Sequence, residues 1–349
     1  MSDISLLIIE DEQRQIQVYQ DTIETHNKKN DLKFTPTICT NYKDGEEALK
    51  SPLYDAAIID LKLSATDELE GKKLLEAVYQ KLRIPIIVYS GSISQIDDIV
   101  ENALLKKRLR TDQLTGIFQE IIGIYNTGLT RLLRSGGEID KKLTTIFWDN
   151  LSRDLETWIQ HNNPDTLLRY IFSHFLEHLE IDAKGDFEEY HPSEIYIKPP
   201  IKKNMHTGDL IRYNKENYIV LSPACDMAIQ DEKGTKKADF IILVEATNFD
   251  YKTLCTRKGK LERGVIENYV KNKNYRYHYL PSFEKNDGFL IDFQKIISLP
   301  NSDNKLDRLA TISSPFLKDI IARFSSYYSR QGQPTFNQDL IVDELFHRK

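Results

Sequence analysis

The first 110 residues alternate short apolar runs with segments whose apolar residues recur at helical spacing. The runs cover residues 5–9, 36–40, 56–60, 85–91 and 103–107, and a helical pattern follows each of the first four. Strands that alternate with helices predict a parallel sheet covered by helices on both faces, and strands buried on both faces are almost wholly apolar. We therefore predict an α/β fold with a doubly wound, five-stranded parallel sheet in this part of the chain.

Polar side chains stand at the ends of these runs. Glu10 and Asp11 follow the first run, Asp60 closes the third, Ser90 closes the fourth and Lys107 closes the fifth. Ligands of such sheets bind outside the carboxyl ends of the strands, and crowded carboxylates repel one another unless a cation lies among them. Hard oxygen ligands suit Mg²⁺, which also accepts phosphate oxygens. The sequence predicts a magnesium and phosphate site where Asp60 attacks a phosphoryl donor while Ser90 and Lys107 bind the new oxygens.

Five fragments of residues 4–125 resemble the receiver domain of two-component response regulators, the CheY-like fold. They are LLIIEDE (6–12), NYKDGEEAL (41–49), YDAAIIDLKLS (54–64), IPIIVYSG (84–91) and LLKKRLRTDQL (104–114). The resemblance implies that a histidine kinase phosphorylates Asp60. It also implies that Mg²⁺ is bound by Glu10, Asp11, Asp60 and the backbone carbonyl near Lys62. The only catalysis it implies is the receiver's own phosphorylation and slow dephosphorylation.

Several positions depart from the family pattern. Arg108 and Ser64 stand where prolines are common, and Leu104 stands where the family often has an aromatic switch residue. The segment from Ser90 to Lys107 is shorter than usual, which predicts a truncated fourth helix. These departures leave open a pseudo-receiver that keeps the fold without being phosphorylated.

The chain beyond the receiver changes texture twice. Apolar residues from 111 to about 179 recur at helical spacing between breaks at 126–128, 135–137 and 162–164, which predicts a helical linker or bundle over 126–184. This apolar stripe is suited to an internal core or, alternatively, to a homodimer. From about Gly185 the chain is rich in β-branched residues and tyrosines. We predict three domains, 1–125, 126–184 and 185–349.

The third domain is predicted to be a small β-barrel-like domain of α+β class with a C-terminal helix. Residues 206–228 indicate a hairpin that is loosely similar to the Gly-Asp entry of PemK/MazF-like toxins, over that hairpin only. Within it, His206, Asp209, Cys225 and Asp226 could form a thiol nucleophile with its base, or a metal site. The alternative is that Cys225 is a small buried hydrophobe and Asp226 caps a turn. Cys255 is predicted to be structural.

The segment from Lys252 to Lys285 is basic and rich in tyrosine. It holds nine Lys/Arg against three Glu, and the tyrosines are Tyr269, Tyr275, Tyr277 and Tyr279. Cations neutralise phosphates and rings stack on unpaired bases, so the segment suits nucleic acid or an anionic partner. A solvated charged face with inward-packed tyrosines is the alternative. No recognised DNA-binding or RNA-binding motif accompanies it.

Composition excludes several classes of protein. Three widely spaced cysteines cannot make a disulfide framework, and no apolar run approaches the roughly 18 residues of a membrane span. The first residues lack a basic region, so we expect a cytoplasmic protein. The net charge of −6 gives no overall attraction to nucleic acid.

These features together predict a response-regulator-type signalling protein whose C-terminal output binds a protein effector. Its architecture is similar to that of receiver proteins fused to effectors in bacterial conflict or anti-phage loci. Two other functions remain open: a receiver-restrained toxin or nucleic-acid-acting enzyme, and a DNA-binding regulator that uses the basic segment.

Overall fold

The chain divides into two compact units, residues 1–187 and 188–349. The computed structural model describes residues 3–50, 54–63, 70–153, 155–161, 163–180, 189–230, 236–250, 252, 262–301, 306–330 and 336–348. No helix in these ranges is both long and apolar enough to cross a membrane. Position 64 of the receiver fragments and Cys255 lie outside the described residues.

The first unit contains a parallel sheet of five strands, as predicted. The strands are β1 (Ile4–Ile9), β2 (Phe34–Cys39), β3 (Ala56–Ile59), β4 (Ile86–Ser90) and β5 (Leu105–Leu109). They lie in the order β2-β1-β3-β4-β5, and every neighbouring pair is parallel. The fifth strand starts and ends two residues later than predicted, which decides which side chain stands at its carboxyl end.

Helices cover both faces of this sheet and bury separate cores. They are α1 (Gln13–Lys29), α2 (Tyr42–Ala48), α3 (Glu70–Lys81) and α4 (Leu114–Asn126). Leu7 and Leu74 belong to the core on one face, whereas Tyr19 and Phe118 belong to the core on the other. Between β4 and β5 the chain forms one 3₁₀ turn, Ser94–Ile96, so the predicted truncation of the fourth helix is confirmed.

The predicted helical segment follows in the same unit. Its helices are α5 (Leu129–Leu133), α6 (Glu138–Asp149), α7 (Leu155–His161) and α8 (Pro164–Glu177). Arg134 directly follows α5, and its Nη1 donates to Oδ1 of Asp55 at 3.0 Å. Asp55 is buried and directly precedes β3. Many apolar side chains of these helices are exposed rather than packed in a core, among them Phe147, Trp148, Ile159 and Leu176.

The second unit contains an antiparallel sheet of seven strands. These are β6 (Tyr196–Ile197), β7 (Asp209–Tyr213), β8 (Glu216–Val220), β9 (Phe240–Asn248), β10 (Tyr277–Leu280), β11 (Phe289–Pro300) and β12 (Asp307–Ile312). Their order is β10-β11-β9-β8-β7-β12-β6. The hydroxyl of Tyr196, on edge strand β6, donates to the carbonyl of Pro281, which directly follows the other edge strand, β10. The α+β class is thereby confirmed.

Turn geometry and one long helix organise this sheet. Asn214 and Lys215 take positive φ angles of 50° and 72° in the predicted β7–β8 hairpin, as a two-residue turn with right-handed twist requires. The described helices are α9 (Ala224–Met227), α10 (Arg263–Val270), α11 (Ser314–Ser329) and α12 (Gln338–Phe346). Buried Ile320 and Tyr327 attach α11 to the sheet core, as predicted for the C-terminal helix. Gly208 (φ +87°) lies so close to Leu317 that a Cβ atom would overlap that side chain.

Candidate functional site

Three carboxylates meet at the carboxyl edge of the parallel sheet. Glu10 and Asp11 follow β1 and Asp60 follows β3, and one carboxylate oxygen from each lies within 4.8 Å of the others. Glu10 and Asp60 are 0% and 2% exposed. The buried Ser90 ends β4 beside them and, with Asp11 and Asp60, lines an open cavity of about 420 Å³. The structure thus brings together four of the five side chains that the sequence predicts at this edge.

The cation in this cluster is Arg110, which the sequence analysis did not single out. Its Nη2 donates to both oxygens of Glu10, at 2.7 and 2.9 Å, and to Oδ2 of Asp60 at 3.0 Å. Its Nη1 donates to Glu12. Arg110 follows β5 directly, at the same edge of the sheet as the carboxylates. One guanidinium therefore joins three acidic side chains across the ends of three strands.

The predicted position of Lys107 at the end of the fifth strand is wrong. Because β5 runs on to Leu109, Lys107 pairs with Val88 in the middle of β4, and Leu109 is the residue beside Ser90. The Lys107 ammonium donates to the Ile96 carbonyl at 2.5 Å. Lys107 does not line the cavity at Asp60, whereas Arg110 does, so the position of Lys107 does not support the part in phosphate chemistry that was predicted for it.

Burial raises the pKa values of two carboxyl groups of the site, and mutual repulsion adds to the effect at Glu10. Burial, and next the charge of Asp60, raise the pKa of Glu10 to about 7, although Arg110 acts in the opposite direction. Burial also raises the pKa of Asp60, whereas the Ser90 hydroxyl, Arg110 and the backbone N–H groups of Lys62 and Leu61 lower it. One guanidinium only partly compensates the carboxylates, an arrangement that favours a further cation among them.

The donor set fits magnesium. Oδ1 of Asp60 is buried and accepts no hydrogen bond from the described residues, so one hard oxygen stands free beside two further carboxylates. Lys62, whose carbonyl was predicted as a ligand, also lines the cavity. Mg²⁺ is coordinated by carboxylate and carbonyl oxygens and usually retains several water ligands, for which an open cavity leaves room.

In the second unit the predicted Cys/His/Asp set does not form one site. Asp209 is fully buried, and its oxygens accept hydrogen bonds from Arg308 Nε (2.8 Å), Thr311 Oγ1 (2.5 Å) and the His206 backbone N–H (2.8 Å). Asp209 is therefore fully engaged in holding the start of β7. Within the ranges described, no hydrogen bond or ion pair joins Cys225 to either His206 or Asp209.

The predicted burial of Cys225 is also wrong. The residue lies on the short helix α9 and is exposed. Its thiol contacts Oδ1 of Asp226 at 3.5 Å. The prediction placed Cys225 against the strand before it, β8. That strand ends at Val220, however, and Cys225 lies on α9, after Pro223, where its side chain is exposed.

No protein-family model and no curated protein matches the chain. Solved structures, however, are similar to its first part. Among solved structures, a CheY-like receiver domain protein from Methanospirillum hungatei is 17% identical, with a TM-score of 0.30; the match covers 36% of this chain and 96% of that one. A CheY-like receiver domain from Methylobacillus flagellatus is 23% identical, with a TM-score of 0.26 and coverage of 34% and 99%.

A third similar structure is the phosphorylated cyanobacterial phytochrome response regulator RcpA. It is 20% identical, with a TM-score of 0.28, and the match covers 35% of this chain and 91% of that one. Independently of these matches, the parallel order β2-β1-β3-β4-β5 is the flavodoxin-like order of CheY, with the ligand edge at the carboxyl ends of the strands. The N-terminal third of the chain has the CheY-like receiver fold.

Proposed function

We propose that the chain is a response-regulator-type signalling protein in which Asp60 accepts a phosphoryl group from a histidine kinase. The observation that carries the proposal is the buried Asp60 carboxylate, whose Oδ1 accepts no hydrogen bond from any residue that the structure describes. The carboxylate borders an open cavity together with Ser90 and Asp11. An Asp60 oxygen attacks phosphorus and forms the acyl phosphate bond. The bond from phosphorus to the kinase imidazole nitrogen breaks, and that nitrogen retains the electron pair.

Each neighbouring side chain has a distinct part in this reaction. Glu10, Asp11, Asp60 and the Lys62 carbonyl would hold Mg²⁺, which when bound neutralises charge on the transferred group. The Ser90 hydroxyl lies beside Asp60, where it can donate to a phosphoryl oxygen. These parts are supported by the common position of the groups at the carboxyl ends of β1, β3 and β4.

Arg110 takes the part that the sequence assigned to Lys107. Its Nη2 already donates to Asp60, and its buried Nε has no hydrogen-bond partner among the described residues. A guanidinium presents several donors in a fixed plane that suits phosphate oxygens. Arg110 can therefore follow the charge from the carboxylate to the phosphoryl group without leaving the site.

The remaining described segments form the output in this proposal. Large apolar side chains on α6 to α8 are exposed, for example Trp148 (65%), Ile159 (70%) and Leu176 (62%). Large apolar side chains that stay exposed on three successive helices suit contact with a partner protein. We infer that a change at Asp60 alters how these helices and the β-rich unit bind a protein effector.

The test is phosphorylation of the purified chain with acetyl phosphate and magnesium, measured as intact mass. We expect the mass of one phosphoryl group to be added to the wild type and none to be added to Asp60→Asn. Arg110→Gln should slow the gain at least tenfold, as loss of a charge-stabilising donor does elsewhere, while the matched cation variant Lys107→Gln should leave it within about twofold. A folded wild type that gains no mass would indicate a pseudo-receiver, and a gain that persists in Asp60→Asn would exclude Asp60 as the acceptor.

A further inference from the structure

The second unit carries a basic pocket that the signalling proposal does not use. It lies where the loop between α10 and β10 meets the end of α11, and its cavity volume is about 580 Å³. Its lining side chains are Asn268, Lys273, Asn274, Tyr275, Arg276, Gln294, Tyr327 and Arg330. Among the described residues, this lining holds three cations, three amides and two phenol rings but no carboxylate, in a chain whose net charge is −6.

Two of these cations lack a carboxylate partner. Arg276 is held by Asp292 through two hydrogen bonds, at 2.8 and 2.6 Å. In contrast, neither Lys273 nor Arg330 forms an ion pair with any residue that the structure describes, and Arg330 lies 3.9 Å from the centre of the Tyr327 ring. Two positively charged side chains without a described ion-pair partner, Lys273 and Arg330, therefore line one pocket.

The pocket also exposes aromatic surface. Tyr275 is 71% exposed, and within the described ranges its side chain makes no hydrogen bond or ring contact. An exposed ring beside unpaired cations provides a stacking surface and a phosphate-binding charge at one place. Single-stranded nucleic acid uses both, because each of its nucleotides presents a planar base and an anionic phosphate.

The loop that carries these groups is held in place before any ligand binds. Arg323 Nη2 donates to the carbonyls of Asn274 and Tyr277, at 2.7 and 2.9 Å. Asn272 has a positive φ of 53° and accepts a hydrogen bond from the Tyr279 N–H at 2.7 Å. Lys273 and Tyr275 thus lie on a loop whose backbone is fixed by these hydrogen bonds, which lowers the entropic cost of binding.

We propose that this pocket binds single-stranded nucleic acid, with Tyr275 stacking on an unpaired base and Lys273 and Arg330 binding the adjacent phosphates. A duplex fits less well because its bases are already stacked on one another, so Tyr275 would have no free base face. An acidic peptide would satisfy the cations but gain little from the exposed ring. The site lies in the second unit and does not depend on phosphorylation at Asp60.

The test measures fluorescence anisotropy of a labelled 12-nucleotide oligothymidylate with the full chain at low salt. We expect Tyr275→Ala to weaken binding at least about fivefold, since stacking contributes about 1 kcal/mol or more per base, and Tyr275→Phe to bind like the wild type. Lys273→Gln and Arg330→Gln should each weaken binding and lower the slope of log K against log salt by about 0.7.

The matched control is Lys271→Gln, which removes an exposed lysine two residues from Lys273 that does not line the pocket. We expect it to change the affinity less than twofold. Equal effects of Lys271→Gln and Lys273→Gln would reveal diffuse attraction and overturn the proposal. So would absence of binding, equal affinity for thymidine monophosphate, or equal affinity for a polyglutamate peptide that is unaffected by Tyr275→Ala. Circular dichroism checks that each variant is folded.

Discussion

Asp60 in the receiver and Asp209 in the β-rich unit are both buried carboxylates paired with an arginine, yet their surroundings differ. Both oxygens of Asp209 accept hydrogen bonds, and Arg308 bonds no other carboxylate in the part of the chain that the structure describes. Oδ1 of Asp60, in contrast, has no hydrogen-bond partner among the described residues, and Asp60 shares Arg110 with Glu10 and Glu12. A buried charge that is fully satisfied holds a fold together, whereas one that is only partly satisfied is ready to bind something else.

The strongest way to break this comparison is to neutralise each aspartate. Asp209→Asn leaves the Arg308 guanidinium uncompensated, so we expect the second unit to lose about 3–5 kcal/mol of stability. Asp60→Asn removes one of several repelling carboxylates, so the first unit should lose nothing or gain slightly. Hydrogen exchange of peptides from each unit in urea measures both.

Tryptophan fluorescence provides an independent reading of the first unit, because both tryptophans of the chain, Trp148 and Trp158, lie there. Losses of similar size in the two variants would show that the difference in hydrogen bonding has no energetic consequence.

A second test removes the shared cation. Arg110→Gln leaves Glu10, Glu12 and Asp60 without their guanidinium. When a chelator removes all magnesium, we expect the free energy of unfolding of the first unit to fall by about 2 kcal/mol. This loss is smaller than the one expected for the Asp209–Arg308 pair because the site at Asp60 is open to solvent. Millimolar magnesium should restore most of that loss and raise Tm more than it does in the wild type. Lys107→Gln is the matched control, since Lys107 lies outside the cluster. A magnesium effect of equal size in Arg110→Gln and wild type would contradict this assignment.

The position of Arg110 also shows how far sequence reasoning reaches. Strands β1, β3 and β4 are continuous apolar runs because both faces are buried, and their predicted ends correctly placed Glu10, Asp60 and Ser90. Strand β5 lies at the edge of the sheet and reads LKKRL, with only its first residue buried. The three consecutive basic residues hide the apolar pattern, so the sequence did not define where this strand ends. The strand ends at Leu109 instead of Lys107, and Arg110, the next residue, is the cation that reaches the site.

In the second unit, prediction was limited for a different reason. The hairpin and α11 follow from turn residues and helical spacing, which are local signals. The side-chain partners of Asp209 are not local, since Arg308 and Thr311 lie about a hundred residues later on β12. Likewise the exposure of Cys225 depends on the path of α9 outside the sheet. Pairings over such distances leave no periodic trace in a single sequence.

A third test uses pH and a buried base instead of a buried acid. Burial, and next the charge of Arg323, lower the pKa of His278 to about 3. Asp319 and Arg323, both on α11, are the charged groups facing it. Below the unfolded pKa of about 6.5, the unfolded chain takes up a proton that the folded unit does not. The free energy of unfolding therefore decreases as the pH is lowered from about 6.5 to about 3.

For His278 we expect the second unit to lose about 2 kcal/mol between pH 7 and pH 5, relative to His278→Gln at the same two pH values. Comparing each protein with itself removes the cost of the substitution. Urea titrations followed by hydrogen exchange of peptides from β10 measure the difference. Parallel pH profiles of the two proteins would show that His278 is protonated in the folded unit.

The smallest expected loss of stability concerns an ion pair between a buried aspartate and a half-buried arginine. Asp55 is 5% exposed and accepts hydrogen bonds from Arg134 and from the Ser5 N–H, while Arg134 is 31% exposed. Arg134→Gln leaves Asp55 with its backbone donor and partial access to water, so we expect a loss of about 1 kcal/mol. Asp55→Asn should cost no more, and the double variant should cost less than the sum because the two residues interact directly. Tryptophan fluorescence in urea follows the loss through Trp148 and Trp158, and strictly additive single-variant effects would mean that the contact does not fasten the helical segment to the sheet.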